Sequence, residues 1–102
     1  MRDKLRNIER RIGKIKRDLA GIGEMRPGSL SRQGRSGRSR KVYYQLSYTR
    51  SMRGRTEYIR PAMAPEIKQQ IAEYRRFRRL IDEWVELAIE HSRLKIELSR
   101  GE

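Results

Sequence analysis

The chain has 102 residues, 35% hydrophobic and 38% charged, and its 26 lysines and arginines against 13 acidic residues give a formal net charge of +13. The absence of cysteine excludes disulfides and thiolate metal sites, and no apolar run approaches the roughly 18 residues of a membrane span. A short polar chain predicts one domain, residues 1–102, with a thin core. The charge predicts a polyanionic partner. The charged start, MRDKLRNIER, is not typical of a signal peptide, so we expect a cytoplasmic protein.

The first predicted element is a helix with a coiled-coil pattern. Its apolar residues are separated by 3, 4, 3, 4 and 3 positions, which is the a/d spacing of a heptad repeat. The pattern predicts a helix over residues 5–22 that packs one apolar stripe against a partner helix. The residues of this stripe are Leu5, Ile8, Ile12, Ile15, Leu19 and Ile22.

Residues 23–41 follow as a predicted loop. The part GIGEMRPG follows no strand and lacks the Lys-Ser/Thr ending of a phosphate loop, so it is typical of a helix stop and a turn. The part SRQGRSGRSRK holds five cations and no acidic or apolar residue. A solvated linker is the alternative, but closely spaced cations repel one another, which favours a segment that orders on binding a polyanion. Its cations are Arg32, Arg35, Arg38, Arg40 and Lys41.

A β-hairpin is predicted over residues 42–60. KVYYQLSYT alternates between two faces, RTEYIR is a second β-prone run, and Gly54 between them is typical of a turn. An isolated hairpin is marginal in water, so one face must pack on the helices. The alternation places Tyr44 and Tyr48 on that packed face and Tyr43 on the outer face. It does not decide on which of the two faces Tyr58 lies.

The tip of this hairpin is a candidate binding site. We expect Arg50, Arg53 and Arg55 there. Arginines interleaved with an exposed tyrosine, here Tyr43, bind phosphate by charge and bases by stacking. Packing is the alternative role for a tyrosine on a short strand.

A long helix is predicted over residues 65–99. Pro65 suits the first helical position, and Glu66 lies near the positive end of the helix dipole. A second apolar stripe has spacings of 3, 4, 3, 4, 3 and 4, and consists of Phe77, Leu80, Trp84, Leu87, His91, Leu94 and Leu98. The segment YRRFRRL adds four candidate phosphate contacts, Arg75, Arg76, Arg78 and Arg79.

The two apolar stripes are similar in length, which predicts that the helices pair. The fold class is therefore α+β, mainly α, with an antiparallel coiled-coil-like pair and a basic loop and small hairpin between its helices. The cations of the first helix would lie alongside the acids of the last, and such exposed pairs select direction more than they stabilise. Because two stripes leave apolar edge uncovered, we expect a homodimer. A dimer that exchanges these helices satisfies the same pattern.

The order of motifs resembles a known family. RPGSL at residues 26–30 precedes a basic stretch, a tyrosine-rich strand YYQLSY, a turn with GRT, and a long helix containing YRRFRRLIDEW. This order, over residues 26–98, is similar to small bacterial proteins of unknown function that are often encoded beside transposases and other mobile elements. In that family the basic stretch usually carries cysteines, and this chain has none there, so any metal knuckle of the family is absent. The resemblance implies a bacterial, phage or mobile-element setting and no known reaction.

Residues typical of catalysis are sparse in this sequence. His91 is the one histidine, and a lone histidine without cysteines does not make a metal site. The acids Asp82, Glu83, Glu86 and Glu90 recur at helical spacing, which is typical of a solvated face paired with the first helix. No nucleophilic side chain and basic side chain have a sequence spacing typical of a catalytic pair. We therefore expect no enzyme activity and no cofactor.

The charge distribution places the binding function in the middle of the chain. Residues 26–60 carry ten cations and one acid, whereas residues 81–102 carry three cations and six acids. We predict a small nucleic-acid-binding protein that contacts phosphate backbone, without a recognisable motif for reading bases. DNA is favoured through the mobile-element resemblance, and RNA is the alternative. A coiled-coil adaptor for a protein such as a transposase or nuclease is the alternative of another class, and membrane binding ranks last.

Overall fold

The structure is a computed structural model, and it describes residues 2–34 and 42–101. It is α+β and mainly helical, as predicted. Contacts divide the chain into a helical unit, Met1–Ile22 with Arg76–Glu102, and a sheet unit, Gly23–Arg75. No helix in the described part of the chain is long and apolar enough to cross a membrane. The elements are α1 (Arg2–Ala20), β1 (Ser29–Gly34), β2 (Val42–Arg50), β3 (Arg53–Ile59), a 3₁₀ turn (Pro61–Met63) and α2 (Ala64–Arg100).

The core of the helical unit is made by apolar residues of α1 and α2. Ile8, Ile15 and Leu87 are buried, and five half-buried residues pack against them. These five are Ile12, Leu19, Leu80, Trp84 and Leu94. The other predicted stripe residues, Leu5, Ile22, Phe77, His91 and Leu98, are half-buried. The heptad positions therefore supply the core of this unit.

Two contacts between side chains indicate that α1 and the second half of α2 are antiparallel. Glu9 Oε1 lies 3.0 Å from His91 Nε2, and Lys16 Nζ lies 5.3 Å from the centroid of the Trp84 ring. Arg11 pairs with Glu83 at 3.8 Å. Among the described residues, the other cations of α1 form no ion pair with α2, so the predicted neutralisation of α1 is limited. The coiled-coil geometry itself stays a prediction.

The predicted hairpin is present as β2 and β3, and β1 extends it to a three-stranded antiparallel sheet. β1 lies within residues 23–41, which were predicted as a loop, and that prediction was wrong for residues 29–34. The sheet order is β1-β2-β3, with Leu30 opposite Leu46 and Gln45 opposite Tyr58. The sequence SLSRQG has one large apolar residue, so its strand forms through pairing with β2 and not through its own pattern.

One face of the sheet packs on the first turns of α2. Leu46 is fully buried and forms a core with Ile67 and Ile71. Leu30, Tyr48 and Ile59 are partly buried against this core. Directly opposed residues in an antiparallel ladder project to the same face, so the register gives β1, β2 and β3 a common packed face.

The β2–β3 turn differs from the predicted one. It consists of Ser51 and Met52, whose φ angles are 53° and 65°, and Gly54 lies within β3 opposite Thr49. Positive φ at both central residues defines the type I′ turn, whose twist matches that of paired strands. Geometry of the strands therefore dictates the turn, although neither residue is a glycine.

The segment before β1 is tied to α2 and to the sheet by Arg26. Its backbone N–H donates to the Gln70 carbonyl oxygen at 3.0 Å. Its guanidinium pairs with the Glu57 carboxylate and lies 5.0 Å from the centroid of the Tyr48 ring. Arg26 is therefore a structural cation, held by partners from three parts of the sheet unit.

Candidate nucleic-acid interface

Three arginines of the predicted site come together at the β2–β3 tip. Arg50 lies directly opposite Arg53, and Arg55 lies opposite Tyr48 on the same face of the ribbon. All three are exposed. The one acid of residues 42–59 is Glu57, and its carboxylate is occupied by Arg26. Within residues 42–59, the tip is therefore a cluster of cations without an unpaired carboxylate.

The tip extends beyond the rest of the sheet. Pairing of β1 with β2 ends at Ser29 and Ser47, so β2 and β3 continue past that point as a two-stranded ribbon. At about 3.4 Å per residue, residues 48–50 carry β2 about 10 Å past the end of its pairing with β1 before the turn begins. Residues 49–55 of this ribbon are all exposed. A ligand can reach the tip from both faces and from its end.

The Arg-rich stretch is described only at its start. Arg32 lies on β1, exposed and opposite Tyr44. Lys68 of α2 places its Nζ 5.8 Å from the centroid of the Tyr44 ring, a neighbour that the sequence analysis did not identify. Four predicted contacts lie outside the described residues: Arg35, Arg38, Arg40 and Lys41.

Tyr43 lies on the sheet face opposite the tip arginines. Its ring meets the ring of Tyr58 edge to face, with centroids 5.5 Å apart and an interplanar angle of 67°. Tyr58 is 74% exposed. The register places Gln45 and the serines and threonines of the three strands on this same open face, without a charge. The structure thus separates the predicted arginines from the predicted tyrosine.

The arginines of YRRFRRL divide between the two units. Arg75 belongs to the sheet unit and is exposed. Arg76 is half-buried and Arg79 is exposed, both within the helical unit, and Arg78 lies 4.0 Å from Asp82. The four arginines therefore do not belong to a single unit of the structure.

A second basic surface lies on α1. From the sequence, its cations are expected to lie alongside the acids of α2. Arg6, Arg10 and Arg17 are exposed, and within the described residues none of them forms an ion pair. Arg10 instead donates to the side-chain oxygen of Asn7 at 3.3 Å. This surface is a natural comparison for the hairpin tip, because it carries the same number of free arginines.

Residues 2–34 and 42–101 contain no group of three or more histidine, aspartate or glutamate side chains placed to hold a metal ion. Within these residues, the side chains that stand out are the cations at the tip and the aromatic pair on the open face.

No family model matches the chain, and no curated protein or solved structure is significantly similar to it. The resemblance to the small proteins found beside mobile elements therefore stays a prediction from the motifs of residues 26–98.

Proposed function

We propose that this protein binds nucleic acid, with duplex DNA as the preferred ligand, through the tip of the β2–β3 ribbon. The observation that carries the proposal is the cluster of Arg50, Arg53 and Arg55, which are exposed and form no ion pair with any residue that the structure describes. Arginine presents a planar fork of donors that matches phosphate oxygens. The role as an accessory of a mobile element follows from the family resemblance alone.

Phosphate contact accounts for the sequence better than base reading does. The tip residues that can donate hydrogen bonds are mainly arginines, which contact backbone phosphates in any sequence. Release of condensed counterions then drives association, and affinity falls as salt rises. Arg32 lies opposite Tyr44, six residues along β2 from Arg50, so a phosphate contact there would be separate from the tip.

Fluorescence anisotropy with duplex DNA, titrated at several salt concentrations, tests this proposal against a matched control. The variant Arg50→Ala/Arg53→Ala/Arg55→Ala removes the tip cations, and Arg6→Ala/Arg10→Ala/Arg17→Ala removes an equal charge from α1. We expect the tip variant to bind far more weakly, with a log K against log[salt] slope shallower by roughly 2.7 for three lost contacts. The α1 variant should change the slope by much less.

Equal losses in the two variants would contradict a specific interface, because binding would then follow net charge alone. A larger loss in the α1 variant would move the interface to the helical unit. Circular dichroism of both variants should match that of the wild type, since all six substituted residues are exposed.

Single-stranded RNA is a second candidate ligand, favoured by the open face of the sheet. Exposed aromatic rings on a sheet stack unpaired bases, and amide and hydroxyl groups bond their edges. Tyr43, Tyr58 and Gln45 supply these groups. If Tyr58→Ala weakens binding to single-stranded RNA and leaves duplex affinity unchanged, this face is a site of its own.

We further propose that α1 and α2 pair as an antiparallel coiled coil and that α2 uses its far side to form a homodimer. Val85, Ile89 and Ile96 are 51%, 42% and 50% exposed. With Ser92 they form a stripe spaced by 4, 3 and 4 residues. At 100° per residue this stripe lies on the side of α2 turned away from Leu87. An a/d stripe of this kind is completed by a second helix.

Charge complementarity supports another copy of α2 as that second helix. Glu86 and Arg93 lie on the same flank of the stripe. A two-fold axis across an antiparallel pair brings this flank of each copy against itself, so that Glu86 of one copy faces Arg93 of the other, twice. The surface is thus self-complementary in charge as well as in apolar spacing.

Sedimentation velocity over a range of concentrations tests the dimer with a charge exchange. Glu86→Arg and Arg93→Glu should each shift the protein toward monomer, because like charges would then meet across the axis. The double exchange should restore the dimer. A monomeric wild type at every concentration would overturn this proposal and leave the stripe for a different protein, as an adaptor requires.

A further inference from the structure

Met52, at the apex of the β2–β3 ribbon, is 99% exposed. It also has a φ of 65°, next to Ser51 at 53°. A turn of this type is satisfied without strain by Asn-Gly, whereas methionine in the left-handed region is strained. The chain therefore carries an apolar side chain that packs on nothing, in a backbone conformation that disfavours it. Neither the exposed apolar side chain nor the strained backbone stabilises the free protein.

The surroundings of Met52 indicate what would use it. Arg50 and Arg53 flank the turn and oppose each other directly across the ribbon. Like charges in that position destabilise a strand pair, and a polyanion brought between them removes the repulsion. An apolar tip held between two cations, on a projecting ribbon, matches a ligand that is anionic outside and apolar within. A stacked nucleic-acid duplex has that construction.

We propose that the tip enters the minor groove of duplex DNA, where Arg50 and Arg53 contact the groove and its phosphates and Met52 wedges into a base step and bends the duplex. The inference rests on the proposed function and names its ligand as a bendable duplex. A thioether is at best a weak hydrogen-bond acceptor, so Met52 is unsuited to reading base edges. Apolar wedges, methionine among them, unstack base steps from the minor groove and kink DNA.

The ribbon is long enough to reach the floor of the minor groove. It extends about 10 Å beyond β1 at the rise of an extended strand, and the minor groove is about 7.5 Å deep. Arginine is favoured in a narrow minor groove, whose negative potential is enhanced. The minor groove of an RNA duplex is wide and shallow, so it does not grip a single turn in the same way.

An anionic membrane surface is the competing ligand for a cationic tip with one apolar residue. Surface-binding segments use a broad apolar face with several large side chains. The tip offers Met52 and the small polar Ser51, and its other exposed neighbours are Arg50 and Arg53. This composition favours a wedge over a membrane anchor.

The test measures duplex bending by energy transfer between dyes on the two ends of a short DNA duplex, at a salt concentration where the wild type is saturated. We expect wild-type protein to bend the duplex by roughly 20–90°. Met52→Gly should abolish the bend and weaken affinity by about tenfold or less, since the phosphate contacts remain. The same variant should raise the Tm by about 4 °C, because glycine relieves the left-handed strain.

Two controls separate the wedge from a general effect. Met52→Leu keeps an apolar wedge and should retain the bend. Met63→Ala removes a methionine that is 43% exposed on the 3₁₀ turn, and should change neither bend nor affinity. A purely structural role of Met52 does not predict a variant that is more stable and yet unable to bend DNA.

Three outcomes would overturn the inference. Duplex binding without a bend, or a bend that survives in Met52→Gly, removes the wedge and leaves the proposed function standing. Failure of the wild type to bind duplex DNA removes both. Stronger, Met52-dependent binding to vesicles of phosphatidylglycerol and phosphatidylcholine than to DNA would assign the tip to a membrane surface.

Discussion

The helical unit and the sheet unit hold their residues together in different ways. In the helical unit, two helices share a stripe in which Ile8, Ile15 and Leu87 are buried and five neighbours are partly buried. In the sheet unit, Leu46, Ile67 and Ile71 are buried, with Leu46 fully so, and one arginine joins three segments. A repeated stripe spreads its energy over many similar contacts, whereas the sheet unit depends on a few residues that have no equivalent. Substitutions should therefore have larger effects in the sheet unit.

The aromatic residues allow the two units to be followed separately. The one tryptophan, Trp84, lies in the helical unit, and the five tyrosines (Tyr43, Tyr44, Tyr48, Tyr58 and Tyr74) lie in the sheet unit. Near-ultraviolet circular dichroism of tyrosine and fluorescence of Trp84 thus report on different parts of the chain during urea unfolding.

The largest effect is expected for Leu46→Ala. Loss of a fully buried leucine removes transfer energy and leaves a cavity, at a cost of about 3 kcal/mol. The tyrosine transition should move to lower urea than the transition of Trp84. Leu94→Ala, at a half-buried position of the stripe, should cost about half as much. If both probes shift together in Leu46→Ala, the units unfold as one and the comparison between them fails.

Gly28→Ala should be the next most damaging change. Gly28 has a φ of 143°, and an added Cβ would lie 2.7 Å from Leu46 Cδ1 and 3.1 Å from the Ser47 carbonyl oxygen. Steric overlap and backbone strain together should destabilise the protein by about 2 kcal/mol. At Gly34 an added Cβ meets nothing within 4 Å, so Gly34→Ala is the matched control and should be nearly neutral. Equal urea midpoints for the two variants would contradict this account of Gly28.

This glycine shows what the sequence can and cannot predict. The RPGSL motif was recognised as a pattern, but its physical cause is the approach of Gly28 to Leu46, which lies 18 residues further along the chain. Contacts of this kind are non-local and leave no periodic signal. Strand β1 was missed for the same reason, since its one large apolar residue, Leu30, acquires meaning only opposite Leu46.

Periodic features, by contrast, could be predicted from the sequence. The heptad spacing that includes Ile8 and Ile15 in α1 and Leu87 in α2 predicted both helices and their core. A helix presents the same face again within a few residues, so its pattern is visible in the local sequence. The alternation of β2 likewise predicted that Tyr48 faces the core and Tyr43 does not. The role of Arg26 was not predicted, because the sequence of a basic stretch does not indicate which of its arginines pairs with a carboxylate.

Arg26→Gln tests whether the sheet unit depends on that single cation. The Arg26 side chain is 28% exposed. Its replacement removes the ion pair with Glu57 and the contact with the Tyr48 ring. We expect a loss of about 1 kcal/mol in urea unfolding. Arg60→Gln changes the net charge equally at an exposed position, and should have little effect. In a double-mutant cycle with Glu57→Gln, a coupling energy near zero would show that the pair contributes nothing.

The smallest expected effect has the opposite sign and belongs to the helical unit. Gly13 lies within α1, and an added Cβ would meet only Arg17 Nη1, at an ordinary 3.6 Å. Glycine lowers the stability of a helix interior relative to alanine, so Gly13→Ala should stabilise the protein by about 0.7 kcal/mol. Ala72→Gly, at an exposed position of α2, should cost a similar amount and calibrates the measurement. A glycine thus limits stability in the helical unit and secures it in the sheet unit, because only Gly28 lies where the backbone and a neighbouring side chain leave no room. Destabilisation by Gly13→Ala would mean that α1 needs close approach at Gly13, and the difference between the two units would disappear.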